Sequence, residues 1–409
     1  MELMRSFETR VGPMRVGVYV ASPPAESGGT FTFQQGLLAA VMRASATSEH
    51  EWIPVFGRPG KGSETESVSG LRPKDLVGSS VKHFFKLLRD PRTSRLHPPA
   101  FSDAYSLATR AKLSSLDLDF IWSLSPNALT FELPFAIHAW DLEHRVHPGF
   151  PEVGAASIWT SRERATAQAA QRASLIFTGT EFGAREVSRF YGIGDERIMV
   201  LPMPTPRDCL DLAEEPVRGE AQAAEPYFLY PAQFWAHKNH VVLLDALVAL
   251  REKGLPMPLI KFSGSDQGNL SYIKSEVARL GLSERVAFLG FIDRAELLRQ
   301  YAGATGLLFP SLFGPDNIPP LEAMALRCPA VVAEVSGMKE QLGTAALHVD
   351  ALSGSAWASA MTALMTDRAL RSSLIEQGLQ LARDRSVDIY AQQAMSAVEQ
   401  WLTIRRRWA

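Results

Sequence analysis

Short apolar runs that alternate with helical segments are the feature that most restricts how this chain can fold. The run at 15–21 (RVGVYVA) is rich in valine and ends at a Ser-Pro-Pro sequence, which is typical of a buried strand. Further strands are predicted at 117–123, 133–139 and 174–180, and helices at 32–44 and 181–191. Strands separated by helices predict βαβ units and a mostly parallel sheet.

A second series of the same kind begins after a polar segment at 206–226. That segment holds six acidic residues against two arginines, which is typical of a linker. Beyond it, strands are predicted at 227–233, 258–263, 286–289, 306–309, 330–333 and 346–349, and helices at 241–253, 355–383 and 389–401. We therefore predict an α/β fold with two Rossmann-like domains, 1–205 and 227–385, that face a cleft. The final helix, at about 386–409, is expected to pack back on the first domain.

Length and composition are consistent with this architecture and exclude several classes of protein. A chain of 409 residues is long enough for two domains that each bury a core. The net charge of −2 argues against nucleic acid as the main partner. Two cysteines, Cys209 and Cys328, are too few for a disulfide framework or a cysteine-based zinc site. Since there is no signal-peptide pattern and no apolar run near the ~18 residues of a membrane span, we expect a cytoplasmic protein.

The loop after the first strand is the first candidate binding element. Gly28 and Gly29 allow a close backbone approach to a ligand, and the helix behind them directs its free N–H groups at the same place, which favours an anion. A flexible turn is the alternative interpretation. The loop does not follow the G-x-G-x-x-G pattern, so a nicotinamide dehydrogenase is disfavoured.

Two loops of the second series are stronger candidates. Lys238 is expected in the first turn of a helix, where a cation is unfavourable unless an anion lies between it and the helix dipole. Its neighbours His237, Asn239 and His240 are expected to cap or pack. The segment 308–325 ends a buried strand, continues through a loop rich in Gly and Pro, and places Glu322 at the start of a helix. N-terminal capping is the alternative role of Glu322, but the position of the loop is that of a nucleotide site.

These two elements together resemble a known family. Lys238 in its loop and P-S-L-F-G-P-D-N-I-P-P-L-E-A-M-A at 310–325 resemble the retaining GT-B glycosyltransferases of family 4, the glycosyl transferases group 1. The similarity is good over about 227–350. In the first half the similarity is limited to three places. These are the glycine loop, FAIHAWDLEHRVHPGFP at 135–151, which resembles a strand ending in an H-D motif, and TGTEFGAREV at 178–187 with RIMVLP at 197–202, which resemble the final βα unit of that domain.

The resemblance implies a C-terminal domain that holds a nucleotide-sugar donor. Lys238 would neutralise the diphosphate, and Glu322 would accept hydrogen bonds from the ribose hydroxyls. The implied catalytic residues are Lys238, Glu322, Asp141 and His138. The implied donor-binding residues are Gly28, Gly29, Gln233, Gly264, Gly290, Gly314, Asp316, Asn317, Ile318, Pro319, Pro320 and Leu321.

Three positions depart from the family pattern. The first Glu of its E-x7-E motif falls at Gly314, the Arg that precedes its Lys is Gln233, and the His of its H-D motif is Trp140. Asp316 or Asn317 are candidates to replace the missing Glu. His138 or His144 are candidates to replace the missing His.

The implied function is transfer of a sugar from a nucleoside-diphosphate sugar to a hydroxyl acceptor with retention of configuration. Assembly of a cell-surface polysaccharide or glycoconjugate is the expected context, with a saccharide or lipid-linked saccharide as acceptor and a mannosyltransferase-like enzyme as one candidate. No D-x-D pattern stands near a strand end, so no metal and no further cofactor are expected. The alternatives are a sugar-nucleotide epimerase or a phosphorylase on the same fold, and a non-catalytic nucleotide-sugar-binding protein.

The segment 82–95 (KHFFKLLRDPRTSR) carries five cations and one acid among large apolar residues. If it is helical, its lysines and arginine form a basic stripe that could contact a membrane surface at the inner face, or an anionic acceptor. An ordinary amphipathic helix with a solvated face is the alternative.

Overall fold

A computed structural model describes residues 12–21, 29–56, 116–131, 133–214 and 225–407, and within them the chain forms two six-stranded parallel sheets. The first sheet has the order β2-β1-β3-β4-β5-β6 and the second β12-β11-β10-β7-β8-β9. The strands are β1 Arg15–Val20, β2 Glu51–Phe56, β3 Phe120–Ser123, β4 Phe135–His138, β5 Leu175–Thr178, β6 Ile198–Val200, β7 Tyr227–Pro231, β8 Leu259–Ser263, β9 Val286–Gly290, β10 Gly306–Phe309, β11 Ala330–Ala333 and β12 Ala346–Val349.

Helices connect these strands in both domains. They are α1 Gly29–Ala44, α2 Glu143–Val146, α3 Pro151–Gly154, α4 Ala156–Arg172, α5 Glu181–Tyr191, α6 Arg207–Glu214, α7 His240–Glu252, α8 Leu270–Arg279, α9 Arg294–Gly303, α10 Ile318–Ala325, α11 Met338–Leu342, α12 Gly354–Thr366, α13 Arg368–Asp384 and α14 Val387–Arg406. Every strand pair is parallel, so the predicted fold class of two Rossmann-like domains is confirmed. No helix of the described segments is long and apolar enough to span a bilayer.

Continuous apolar runs form the central strands because both faces of a parallel sheet are covered by helices. All residues of β3, β4, β10 and β11 are buried. The edge strand β2 contains Pro54, which is tolerated there because an edge strand has a side without ladder hydrogen bonds. Sequence reasoning did not predict β2 or the short edge strand β6.

The order of strands places a topological switch point in each sheet. In the second sheet the chain runs outward from β7 to β9 and returns to the other side of β7 with β10. In the first sheet the corresponding point lies between β1 and β3. Ligands of open α/β sheets bind at the carboxyl ends of the strands at such points, because the loops diverge there and leave a crevice.

The last helix returns to the first domain. Helix α14 packs along α1, where Arg43 of α1 forms an ion pair of 2.6 Å with Asp388. Arg405, near the end of α14, donates a hydrogen bond to the carbonyl of Asp119. Helix α14 extends from 387 to 406, beyond the predicted 389–401, and the predicted domain limits stay a prediction.

Two sequence predictions of local structure differ from the observed elements. The single helix predicted over 355–383 is two helices, α12 and α13, because Asp367 has an extended backbone and its carboxylate caps α13 through the N–H of Leu370 at 2.9 Å. The segment predicted as a linker, 206–226, carries helix α6. The sulfur-bearing side chain of Cys209 on α6 is fully buried, which supplies an apolar anchor that a linker would lack.

We expect the substitution Leu402→Ala to lower the free energy of unfolding by about 2 to 5 kcal/mol, because Leu402 is fully buried on α14 and its loss leaves a cavity. The matched control is Ile404→Ala on the same helix, where the side chain is 52 % exposed and the expected change is within about 0.5 kcal/mol. Chemical unfolding followed by circular dichroism measures both. Equal effects would contradict the packing of α14 described above.

Candidate functional site

The switch point of the second sheet brings together the loops that follow β7 and β10. Lys238 ends a single 3-10 turn, Ala236–Lys238, and α7 begins after it. Its Nζ donates to Ser311 Oγ at 3.3 Å and lies 5.3 Å from the centre of the Phe309 ring. Lys238 thus precedes the helix instead of lying in its first turn.

Asn239 holds this turn in place. Its backbone is left-handed, with φ of 52°, and its side-chain amide donates to the carbonyls of Pro310 and Ala351 at 3.2 and 2.7 Å. The short polar side chain therefore joins the loops after β7, β10 and β12. Asn239 therefore packs between neighbouring loops through side-chain hydrogen bonds.

Three carboxylates of the N-terminal domain influence the charge of Lys238. Burial lowers the pKa of Lys238 to about 8, and the charges of Asp141, Glu152 and Glu143 oppose that change. The part of the N-terminal domain that acts on Lys238 is therefore negative. A diphosphate that entered would replace these carboxylates as the counter-charge.

Two N-terminal-domain carboxylates contact the loops around Lys238 directly. Glu143, on α2, accepts a hydrogen bond from the backbone N–H of Gly314 at 3.1 Å, and its second oxygen lies 2.5 Å from His147 Nδ1. Glu152, on α3, accepts from the backbone N–H of His237 at 2.9 Å and lies 2.5 Å from Nδ1 of the same residue. Both carboxylates are at least 95 % buried.

The rings of the two histidines enclose Phe313. His237 stacks on Phe313 with ring centres 4.0 Å apart, and His147 stacks on it at 5.3 Å. Phe150 contacts the same ring edge-on at 5.2 Å. The segment 143–152 of the N-terminal domain therefore contacts both loops, the one at 311–317 and the one at 235–240.

A third carboxylate joins the domains in the opposite direction. Glu340 of the C-terminal domain accepts from the backbone N–H groups of Glu181 and Phe182, at the N-terminus of α5. Thr180 caps the same helix by accepting from the N–H of Gly183 at 3.0 Å. Carboxylates are favoured at this position by the free N–H groups and the helix dipole.

Glu322 is placed differently from the prediction. Asn317 is the N-cap of α10, so Glu322 lies in the second turn and caps nothing. Its carboxylate is buried and accepts from Arg294 at 2.5 Å and from Tyr301 Oη at 2.9 Å. Arg294 also bonds Asp208 on α6, so Glu322 is oriented by a network of four side chains.

The loop 314–317 is fixed by polar contacts. The side-chain amide of Gln341 accepts from the N–H of Asn317 at 2.9 Å and donates to its carbonyl at 2.7 Å. Gly314 has φ of 117°, a conformation that favours glycine. At this position, where the family pattern has a Glu and this sequence has Gly314, the carboxylate of Glu143 accepts from the backbone N–H.

Asp316 crosses to the N-terminal domain. A Cβ added to Gly179 would lie 1.6 Å from Asp316 Oδ2, so this close approach requires glycine at 179. Burial, with smaller effects from Asp141 and Glu340, raises the pKa of Asp316 to about 7. A Cβ added to Gly29, at the N-terminus of α1, would lie 3.6 Å from the side chain of Ile318, so these predicted residues of the two domains lie close together.

His138 is buried and borders the small cavity at the domain junction. Trp122 Nε1 donates to its Nε2 at 3.0 Å, and its Nδ1 lies 3.1 Å from Tyr390 Oη. Burial lowers the pKa of His138 to about 3, so the ring is neutral. Both ring nitrogens have partners and join β4 to β3 and α14, while the catalytic role of His138 stays a prediction.

Trp140 and His144 give no replacement for the missing His. Trp140 Nε1 is buried without a hydrogen-bond partner. His144 is fully buried, with Nε2 3.0 Å from Glu163. Asp141, in contrast, remains partly exposed at the crevice and accepts from Arg162 and from the N–H of Glu143.

The remaining predicted residues lie in four places. Leu321 is fully buried on α10, and its donor-binding role stays a prediction. Gly264 and Gly290 adjoin at the ends of β8 and β9, where the N–H of Gly264 donates to the carbonyl of Gly290 at 2.9 Å. Gln233 lies on the loop after β7, and Pro319 and Pro320 lie in the first turn of α10. Gly28 and the segment 82–95 lie outside the described residues.

Sequence reasoning missed Glu143, Glu152, Ser311, Arg294 and Glu340. Ser311 directly follows β10, and Glu143 lies two residues after Asp141 in the motif already singled out. Ser311 and Glu143 could therefore have been singled out from the sequence. The partners of Glu143, Glu152 and Glu340 could not, since these carboxylates contact backbone N–H groups, which nearly every residue carries.

One cavity at the domain junction, bounded by His138, Trp140, Asp316 and Tyr390 among others, has a volume of about 10 Å³, close to that of one water. A larger cavity of about 900 Å³ lies elsewhere, between α11 and α13, and includes neither Lys238 nor Glu322. No group of three or more His, Cys, Asp or Glu in the described segments is arranged to hold a metal ion.

Comparison with known proteins identifies the region that carries the crevice. Residues 213–381 match the family described as Glycosyl transferases group 1. The chain is 26 % identical over 247 residues to O-antigen chain mannosyltransferase B of Escherichia coli, which is 58 % of this chain and 63 % of that protein. The chain thus spans less than two thirds of that relative's length.

Solved structures share the whole architecture. Sucrose-phosphate synthase of Thermosynechococcus elongatus aligns with a TM-score of 0.68 at 17 % identity, over 96 % of this chain and all of that chain. Anabaena HepE in complex with UDP-glucose aligns with a TM-score of 0.63 at 17 % identity, over 95 % of this chain and all of that chain. These likenesses confirm the predicted GT-B fold.

We expect Asp316→Asn to stabilise the protein at about pH 8. Because the pKa of Asp316 is about 7 in the folded state and 3.8 ordinarily, its ionisation opposes folding increasingly as the pH rises from about 4 to 7. The variant cannot ionise at this position and lacks the cost. We expect its free energy of unfolding to be higher by about 1 to 3 kcal/mol, since one pKa unit corresponds to about 1.4 kcal/mol and relaxation of the wild-type structure offsets part of the cost.

Thermal unfolding at several pH values between about 5 and 8 measures this effect. Asp195→Asn, at an exposed position of the N-terminal domain, is the matched control and should follow the wild type. An Asp316→Asn variant that is less stable than the wild type at every pH would contradict the burial of an ionisable carboxyl at this position.

Proposed function

We propose that the protein transfers a sugar from a nucleoside-diphosphate sugar to a hydroxyl acceptor, because residues 213–381 match the family described as Glycosyl transferases group 1. The C-terminal domain would bind the donor and the N-terminal domain the acceptor. The relative in O-antigen assembly supports a role in building a cell-surface polysaccharide, with mannosyl transfer as one candidate.

The observation that carries this proposal is the position of Lys238. A cation with a pKa lowered to about 8 by burial stands at the topological switch point, between loops that follow adjacent strands. Among the described residues its ammonium group donates one hydrogen bond, to Ser311, which leaves two donors for phosphate oxygens. Charge stabilisation of a departing diphosphate is the chemistry that such a group performs.

Glu322 would orient the nucleoside part of the donor. A carboxylate held by Arg294 and Tyr301 keeps lone pairs that can accept from two adjacent ribose hydroxyls. Since its orientation is fixed beforehand, little side-chain entropy would be lost on binding. A uridine nucleotide is the first candidate, because the structural neighbour HepE binds UDP-glucose.

The proposed reaction balances without a further cofactor. The acceptor oxygen bonds to the anomeric carbon while the bond from that carbon to the diphosphate oxygen breaks. The hydroxyl proton passes to the departing diphosphate, and attack on the face that the diphosphate leaves would retain the configuration. Lys238 would stabilise the negative charge, so we propose that no metal ion is needed.

We expect Lys238→Ala to weaken nucleotide binding by about 10- to 150-fold, since a charged hydrogen bond contributes roughly 1.5–3 kcal/mol. Calorimetric titration of UDP, GDP, ADP and dTDP measures this and identifies the base. The matched control is Lys253→Ala, an exposed position after α7, which should bind like the wild type.

The outcomes of the titration separate the candidate functions. Binding by the wild type followed by transfer from the corresponding nucleotide sugars, in the presence of a chelator, supports a metal-independent transferase. Binding without transfer to any of a panel of acceptors would favour the non-catalytic alternative. No binding of any of the four nucleotides would remove the basis of the proposal.

We expect Glu322→Gln to weaken binding of the same nucleotide by about 5- to 30-fold, because a neutral amide accepts more weakly than a carboxylate. Glu334→Gln, at an exposed position of the C-terminal domain, serves as control. If Glu322→Gln bound the nucleotide as tightly as the wild type, the ribose role carried over from the family pattern would be wrong.

A further inference from the structure

The contacts of Glu143 and Glu152 follow one pattern. Each carboxylate belongs to the N-terminal domain, accepts from a backbone N–H of the C-terminal domain, and lies 2.5 Å from a histidine Nδ1. The two N–H groups belong to Gly314 and His237. These residues lie on the two loops that form the Lys238 crevice.

The two contacts are joined through Phe313. Its ring lies between His147, the partner of Glu143, and His237, the partner of Glu152. A shift of either loop would therefore break a carboxylate contact and a ring contact together. We call Glu143, His147, Phe313, His237 and Glu152 the interdomain clasp.

The clasp acts on the residues next to the predicted donor ligands. His237 immediately precedes Lys238, and Gly314 lies three residues before Asn317. The carbonyl of Gly314 accepts from the side chain of Asn317 at 3.0 Å, and the carbonyl of His237 accepts from the N–H of Leu312 at 2.8 Å. The position of both loops relative to the N-terminal domain is thus set by Glu143 and Glu152.

The clasp holds both loops against the N-terminal domain, and a cavity at the junction of about 10 Å³ has room for about one water. The proposed donor ligands Lys238 and Glu322 belong to the C-terminal domain and are not members of the clasp. Donor binding to the C-terminal domain and engagement of the clasp are therefore separable events. A reaction that needs groups from both domains requires the second.

We propose that Glu143 and Glu152 are positioning residues that fix the two donor loops against the N-terminal domain, so that they determine the rate of transfer but not nucleotide affinity. This inference rests on the proposed function, which gives the two loops their role. Sugar transfer occurs when donor and acceptor are held together, and misplacement by about 1 Å can cost about 100-fold in rate.

The test uses Glu143→Gln and Glu152→Gln, which keep the shape of the side chain and remove its charge. A neutral amide makes weaker hydrogen bonds to N–H groups than a carboxylate, so we expect kcat to fall about 5- to 30-fold in each variant. The Kd of the nucleoside diphosphate, measured by calorimetry, should stay within about threefold of the wild type. Lys238→Ala, in contrast, should raise the Kd of the nucleoside diphosphate.

Two controls accompany these variants. Glu196→Gln makes the same chemical change at an exposed position of the N-terminal domain and should leave kcat unchanged. Thermal unfolding verifies that each variant is folded. If one of the two clasp variants fails to fold, the other variant tests the proposal. An unchanged kcat in a folded clasp variant, or a Kd raised in parallel with the loss of kcat, would overturn the proposal.

Small-angle scattering makes the outcome independent of the proposed function. With nucleotide bound, the wild type should be more compact than either Gln variant, because the clasp holds the domains together. This difference tests the clasp even if the wild type transfers no sugar. Equal radii of gyration for wild type and variants would contradict the clasp, whereas a difference without transfer would contradict only the glycosyltransferase assignment.

Discussion

Carboxylates that accept hydrogen bonds from backbone N–H groups across the domain junction are the interaction on which this structure depends. Glu143 and Glu152 reach the loops of the C-terminal domain, and Glu340 reaches the N-terminus of α5 in return. A hydrogen bond to an ionised group is roughly twice as strong as one between neutral groups. Two domains with separate sheets thereby share one crevice.

The same carboxylates set the electrostatics of the crevice. Lys238 is partly compensated by Asp141, Glu143 and Glu152, while burial raises the pKa of Asp316 to about 7 on the other side of the loop. The negative wall belongs to one domain and the cation to the other. Relative motion of the domains therefore changes the charge around Lys238, which couples domain geometry to anion binding.

Several elements could be predicted from the sequence to the residue. Helix α5 coincides with the predicted 181–191, because Thr180 caps its start and Gly192 adopts a left-handed backbone after its end. Strands β10, β11 and β12 also coincide with their predicted limits. The surroundings of single side chains were harder to predict, since His138 and Leu321 are buried and the partners of His138 lie on other elements.

The sequence by itself determined the alternation of strands and helices, the two parallel sheets and the loops that carry Lys238 and Gly314. These follow from local patterns of apolar, glycine and proline residues, whose effects act over a few positions. Only the tertiary structure decided which groups face one another across the junction. Glu143 accepts from the N–H of Gly314, 171 positions away. Because nearly every residue carries a backbone N–H, the sequence does not indicate which one a distant carboxylate will contact.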